Sequence, residues 1–281
     1  MPQTPATAES ANYVGRLLTL AWLSLAQLVR TPSHSRRAEA GRRSARHVLL
    51  LTAGIGAVII TLMYTFDVQE IALMPPRGTP SLWWVRILTD FGKDEYVLST
   101  LGVLLVVVAL VAPALRGVPR ATVLGLGTRL QYLFLSVAFS IAVGEVIKRS
   151  VGRGRPFVGG KADAFNFQHF AGSEAYTSFP SGHATTAFAL AFAVSAVWPQ
   201  ARMPMLLYAI MIAATRLVLL AHHPSDVVAG ALVGTIGAMT VRYWFAARRL
   251  GFAIHQGGAI VPLSGPSPGR LKRVAGSAFA P

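Results

Sequence analysis

Six apolar runs, each bounded by charge, constrain this chain more than any other feature. A helix crosses the hydrocarbon core of a bilayer with about 20 mostly apolar residues. Runs of that kind cover residues 47–66, 96–115, 130–147, 184–198, 203–221 and 227–246. The last three are rich in Ala, Gly, Ser and Thr, which let helices approach closely inside a bundle. Composition agrees: 53% of the 281 residues are hydrophobic and 13% are charged, against about 25% charged in an ordinary soluble domain. A soluble reading is therefore excluded, and the expected fold is all-α, a polytopic six-transmembrane-helix bundle. The absence of Cys removes disulfides, thiolate metal sites and thiol nucleophiles together.

Three other stretches carry weaker signals. Residues 13–29 are apolar but broken by Arg16 and Gln27, which fits an interfacial amphipathic helix, the alternative being a seventh span. Residues 67–95 hold Pro75, Pro76, Pro80 and the pair Trp83 and Trp84 beside Arg86, so they form either a helix at headgroup level or a plain connecting loop. The chain after Gly251 is rich in Gly, Pro and Ser and is expected to be disordered. Three parts follow: a basic N-terminal segment with an amphipathic helix (1–46), the six-span unit (47–247) and a tail (248–281).

The net charge is +15. Arg42, Arg43 and Arg46 precede the first run, Arg116, Arg120 and Arg129 lie between the second and third, Arg202 separates the fourth and fifth, and Arg248 and Arg249 follow the sixth. All these segments fall on one side of a six-span chain, which is the cytoplasmic side by the positive-inside rule. Both termini are then inside, and residues 67–95, 148–183 and 222–226 face out. The inward segments hold 17 Lys and Arg against Glu9 and Glu39, while the outward ones hold nine of each sign. The whole excess is thus a topology signal, and a nucleic-acid partner is not required.

Ionisable residues at the ends of spans are costly to place, so they are functional candidates. Three groups share the outer side: Lys148 with Arg155 and Pro156, then Pro180, Ser181, Gly182 and His183, then Thr215, Arg216, His222 and Asp226. Lys148, Arg155 and Arg216 offer a point charge and two guanidinium forks, the complement of a tetrahedral dianion. Ser181 and Gly182 open a helix whose first N–H groups and dipole would face the same anion. His222 lies four residues before Asp226, a spacing that brings imidazole and carboxylate together around Pro224. A carboxylate on one ring nitrogen raises the nucleophilicity of the other. His183 is left to protonate the leaving oxygen. The chemistry implied is hydrolysis of a phosphomonoester or diphosphate through a phosphohistidine, with no metal and no cofactor.

At these residues the chain resembles the type 2 phosphatidic acid phosphatases (PAP2), which share a fold with vanadium haloperoxidases. That family's signature is Lys-x6-Arg-Pro, Pro-Ser-Gly-His and Ser-Arg-x5-His-x3-Asp. Lys148, Arg155 and Pro156 match the first part, Pro180 to His183 the second, and Arg216, His222 and Asp226 the third, with Thr215 in place of the usual Ser. The resemblance implies the same roles: His222 nucleophile, His183 general acid, Asp226 orienting His222, and Lys148, Arg155, Arg216, Ser181 and Gly182 binding phosphate. It implies a lipid phosphatase at the outer face of a bacterial inner membrane. Candidate substrates are undecaprenyl diphosphate, favoured by the outward basic pocket, then phosphatidylglycerophosphate, phosphatidate and a lipid A phosphate.

Each signal has a plainer reading. Lys148 and its basic neighbours could anchor a helix end at headgroups, but they lie against the charge bias. Ser181 could be a helix cap and Asp226 a first-turn acid, roles compatible with catalysis. Glu145 is expected to pair with Arg149, His223 to line the pocket, and Arg149 and Arg153 to add positive field. Two other functions compete: a vanadate-dependent haloperoxidase, and a lipid transporter or scaffold without turnover. The first is disfavoured by the membrane spans. The second leaves the retention of His183, His222 and Asp226 unexplained.

Overall fold

In the computed structural model, residues 12–255, 258–263 and 265 are described. Helix α1 spans Tyr13–Val29, α2 His34–Thr65, α3 Asp67–Leu73, α4 Trp83–Asp90, α5 Asp94–Val111, α6 Gly117–Val151, α7 Gly182–Val197, α8 Arg202–Val218 and α9 Pro224–Arg248. Strands β1 (Phe252–Ile254) and β2 (Ile260–Pro262) form one antiparallel pair. Among the described residues, α2, α6, α9, and α5 and α8 with their flanking helical turns are long and apolar enough to cross a membrane, and α7 is a shorter apolar helix of 16 residues. The six expected apolar runs fall on these six helices, five of them long enough to cross. The chain is an all-α integral membrane protein.

Helix α9 is the axis of the bundle, packed against α2, α6 and α7. Small residues make that possible. A Cβ on Gly234 would stand 2.3 Å from the Thr185 carbonyl oxygen of α7, and one on Gly237 would stand 2.2 Å from Ser140 Oγ of α6. By contrast, α2 and α5 leave Leu49, Leu50, Ile60, Val103 and Val106 exposed, the apolar outer surface that a lipid phase covers. Helices α6 to α9 run alternately up and down. The C-terminal ends of α6 and α8 therefore meet the N-terminal ends of α7 and α9 at one end of the bundle, joined there by the end of α2, α3 and the start of α5.

Several expectations are refined. Helix α2 begins at His34, so the basic stretch before residue 47 continues the first span as helix instead of forming a separate segment. Residues 67–95 are not a plain loop, because α3 and α4 lie within them. The tail is ordered beyond Gly251 because it carries apolar side chains. Phe252 is buried edge-on against Tyr132, ring centroids 4.8 Å apart, and Ile254 and Ile260 pack on the same cluster. The rest of the expected disordered tail, residues 266–281, lies outside the described residues.

Helix α1 crosses the opposite end of the bundle. Tyr13 donates to the Leu110 carbonyl at the end of α5, and Trp244 of α9 donates to the Leu28 carbonyl. Trp22, Leu18, Leu25 and Val29 remain exposed along it.

Candidate active site

The N-terminal half of α7, the ends of α6 and α8, and the loops between them enclose a cavity of about 350 Å³. Lys148, Arg155, Gly182, His183, Arg216 and His222 all line it, so six of the eight residues singled out by sequence spacing meet at one surface. The other two, Ser181 and Asp226, are fully buried in its wall.

Each cation is held by a neighbour that leaves it facing the cavity. Lys148, in the last turn of α6, pairs with Glu145. Arg149, the partner expected for Glu145, is 4.0 Å from its other oxygen and exposed. Proximity decides this, since Lys148 lies one turn on and faces inward while Arg149 points out. Arg155 donates from Nε to the Glu174 carbonyl at 3.2 Å. Arg216, 8% exposed, donates from Nη1 to Thr89 Oγ1 of α4 at 2.8 Å, and its Nε has no partner among the described residues. Thr215 Oγ1 lies 2.9 Å from the same Thr89 hydroxyl, so the hydroxyl retained at this position helps fix the arginine.

The start of α7 supplies the neutral donors, with one correction. Ser181 does not offer its backbone N–H to an anion, because that group donates to the Asp226 carbonyl at 2.9 Å and ties α7 to α9. What remains at Ser181 is its hydroxyl, buried and without a partner among the described residues. Gly182 and His183 sit in the first turn, where N–H groups have no intrahelical acceptor. A Cβ added at Gly182 would stand 3.6 Å from Lys148 Nζ, in ordinary contact, which places this turn directly beside the cation. His183 Nε2 is buried and unpartnered among the described residues, which leaves it for a ligand.

His222 is 3% exposed and sits in the turn before α9. Its Nδ1 is 2.8 Å from the Ser178 carbonyl, which can only accept, so Nδ1 carries the proton and Nε2 holds the lone pair. The expected carboxylate contact is looser: Asp226 Oδ2 lies 3.9 Å from Nδ1, outside hydrogen-bond range. Ser178 fills the gap, its hydroxyl donating to Asp226 Oδ2 at 2.6 Å. Burial pushes the His222 pKa well below its usual range, with Arg216 and Arg155 in the same direction and Asp226 opposing. A neutral imidazole, the form a nucleophile needs, is therefore held at neutral pH.

His223 lines no part of the cavity. It is fully buried as the N-cap of α9, where its backbone N–H donates to Asp226 Oδ2 at 2.9 Å and its Nδ1 lies 3.2 Å from the same atom. Arg153 also departs from expectation. It is fully buried behind Asp226 and does not line the cavity, being bound to Asp226, Ser225 and Asp67. Sequence reasoning passed over Asp67, Thr89 and Ser178 entirely. Thr89 and Ser178 carry no charge and no motif. Asp67 had one legible signal, an acid directly behind an apolar run.

Residues 129–250 match the model of the PAP2 superfamily. A lipid A 1-phosphatase of Rhizobium johnstonii is 32% identical over 213 residues, covering 75% of this chain and 86% of that protein. A lipid A 1-phosphatase of Rhizobium etli is 41% identical over 103 residues, covering 37% of this chain and 44% of that protein. No solved structure matches the chain significantly.

Proposed function

The chain belongs to the PAP2 superfamily, and from that premise we propose that it removes the phosphate of a lipid-anchored sugar phosphate of the lipid A type, at the outer face of a bacterial inner membrane, through a phosphohistidine on His222. That the protein is a membrane lipid phosphatase follows from its family, its relatives and its apolar helices. The observation that carries the finer reading is the single cavity onto which Lys148, Arg155, Arg216, Gly182, His183 and His222 open together.

The chemistry is a double displacement. The three cations, the Ser181 hydroxyl and the first N–H groups of α7 bind the non-bridging oxygens, and they gain most as negative charge builds on them in the transition state. His222 Nε2 attacks phosphorus as the bond to the lipid oxygen breaks, and His183 in its protonated form gives that oxygen a proton. Water then attacks the phosphohistidine and neutral His183 accepts its proton, releasing inorganic phosphate and restoring both histidines. Every proton lost is returned by the two histidines, and EDTA is expected to leave the rate unchanged.

Two observations favour a sugar phosphate over undecaprenyl diphosphate. One is that both relatives are lipid A 1-phosphatases. The other is the cavity wall, to which Asp94, Glu95 and Glu174 contribute acceptors beside the cations. An acylated sugar presents hydroxyl and amide donors around its phosphate, whereas phosphatidate and undecaprenyl diphosphate present none. Unmatched carboxylates there would cost binding energy.

Phosphate release by the purified protein in detergent tests this reading, run in parallel on lipid A, phosphatidylglycerophosphate, phosphatidate and undecaprenyl diphosphate with His222→Ala as blank. Lipid A is expected to be turned over fastest and the blank to be inactive. Turnover of undecaprenyl diphosphate with none of lipid A would overturn the substrate. An active His222→Ala would overturn the mechanism.

A further inference from the structure

The guanidinium of Arg153 lies deeper than any cavity-lining cation, with no exposed surface, in a helix-end loop that the mechanism leaves idle. All five of its N–H groups are engaged. Nε and Nη2 donate to the Ala164 carbonyl at 3.0 and 2.7 Å, Nη1 donates to Ser225 Oγ and Asp226 Oδ1 at 2.6 Å each, and Nη2 reaches Asp67 Oδ2 at 2.8 Å. Asp67 begins α3, well outside residues 129–250 matched by the family model. It is also fully buried, and its other oxygen accepts from the Ser225 backbone N–H at 2.9 Å in the first turn of α9.

Such a cluster is expensive to bury, and plain packing of apolar side chains would hold three segments together at least as well. Its placement gives it a further use. Asp226 Oδ1 is held by Arg153 while Oδ2 accepts from Ser178 Oγ and the His223 N–H, so the carboxylate has no freedom to rotate. The Ser178 backbone N–H donates to the Arg153 carbonyl at 3.0 Å, which aims the Ser178 carbonyl at His222 Nδ1. Arg153 thus fixes both groups that set the tautomer and direction of the His222 ring. Charge matters as well. Arg153 alone would neutralise Asp226, but with Asp67 also bound the buried cluster of three keeps one net negative charge behind an imidazole that becomes cationic as it bonds to phosphorus.

We propose that Asp67 and Arg153 are positioning residues for the hydrolysis, a buried strut that aims His222 and keeps the negative charge of Asp226 available to it. The strut rests on the reading of His222 as nucleophile, and it acts on the chemical step, since neither residue touches the cavity. Substrate affinity and phosphate affinity belong to Lys148, Arg155 and Arg216 and stay as they are.

Steady-state kinetics of the full-length protein in mixed lipid and detergent micelles test this, with Arg153→Lys and Asp67→Asn. Arg153→Lys keeps the charge and loses the fork. Asp67→Asn keeps the volume, removes the charge and turns one of the two accepting oxygens into a donor. Displacements of this kind cost on the order of 10²-fold in rate when a reacting group is mis-aimed. The expected result is kcat lower by roughly 10²-fold for Arg153→Lys and roughly tenfold for Asp67→Asn. In both variants KM and the inhibition constant of inorganic phosphate should stay within about twofold of the unaltered protein. Unchanged kcat, or a loss appearing in KM and in the phosphate constant, would overturn the strut. So would failure of both variants to yield folded protein, which would make the cluster purely structural. The nucleophile reading is tested separately: His222→Ala retaining activity sinks it whatever Arg153 does.

Discussion

At Arg216 the local geometry predicts a measurable asymmetry between two cations. Its Nη1 is fixed by Thr89 and its Nε is unpartnered among the described residues, so the guanidinium both anchors itself and reaches the anion. Lysine keeps the charge and cannot do both. Arg216→Lys is therefore expected to lower kcat/KM on the order of 10²-fold, the loss seen when a transition-state donor is removed. A change of less than about threefold, read by phosphate release, would mean that a point charge suffices there. Glu70 offers a second test at this scale. It is buried beside Asp67, both its carboxylate oxygens lack partners among the described residues, and burial and the Asp67 charge raise its pKa from 4.5 to about 7. A raised carboxyl favours the folded state only while protonated. The favour is complete below pH 4.5 and is lost as pH rises to about 7, after which the penalty is constant. Glu70→Gln should leave Tm unchanged near pH 4.5 and raise it by a few degrees at pH 8. An equal shift at both pH values would contradict this account.

Much of the site was legible residue by residue, because phosphate chemistry demands particular groups: two forks, an ammonium, two imidazoles. Lys148, Arg155, Gly182, His183, Arg216 and His222 do line one cavity. What spacing could not reveal is which atom does the holding. A spacing of four from His222 to Asp226 suggests a direct contact, yet the Ser178 carbonyl takes Nδ1 and the carboxylate stays 3.9 Å away. A serine hydroxyl in an irregular loop leaves no periodic signal, and a backbone carbonyl leaves none at all.

At the scale of elements, six helices were expected from apolar length alone, and six helices carry those segments. Length is a robust signal because a bilayer imposes it. The ends were less legible, since charge was used to close each span while the backbone keeps hydrogen bonding past it. Helix α2 runs through Arg36, Arg37, Arg42 and Arg43 for that reason. The strand pair after α9 was hidden by Gly and Pro around three apolar residues whose burial depends on Tyr132, more than a hundred positions away. The small-residue content of the last helices was the most informative element signal, and it yields a prediction. A Cβ on Gly234 would stand 2.3 Å from the Thr185 carbonyl oxygen, which is backbone and cannot yield. Gly234→Ala must push α7 and α9 apart beside Thr185, and should cost about 1–3 kcal/mol, read as a lower Tm in detergent. If Tm and activity both hold, the two helices are less tightly joined than described.

For the whole molecule, the sites at one end and the basic residues at the other give it polarity. Helices α6 to α9 alternate in direction, which brings the chemistry-bearing ends together, while α1 and the strand pair sit at the far end. The proposed orientation places the far end in the cytoplasm and the cavity outside. As the chain has no Cys, single substitutions test this cleanly. Lys161→Cys, in the exposed loop beside the cavity, is expected to react with a membrane-impermeant maleimide in intact spheroplasts, and Ser35→Cys, at the exposed start of α2, only after lysis. The reverse pattern would invert the molecule and move its substrate to the inner leaflet.

The central claim is that phosphate passes through His222. Its most direct test is to mix the protein with lipid A carrying a radiolabelled 1-phosphate, quench with alkali, in which phosphohistidine survives, and map the label to a peptide. Acid-labile label is expected on the peptide that contains His222 and none in His222→Ala. Label on another residue, or full turnover with no labelled protein at any time, would contradict it.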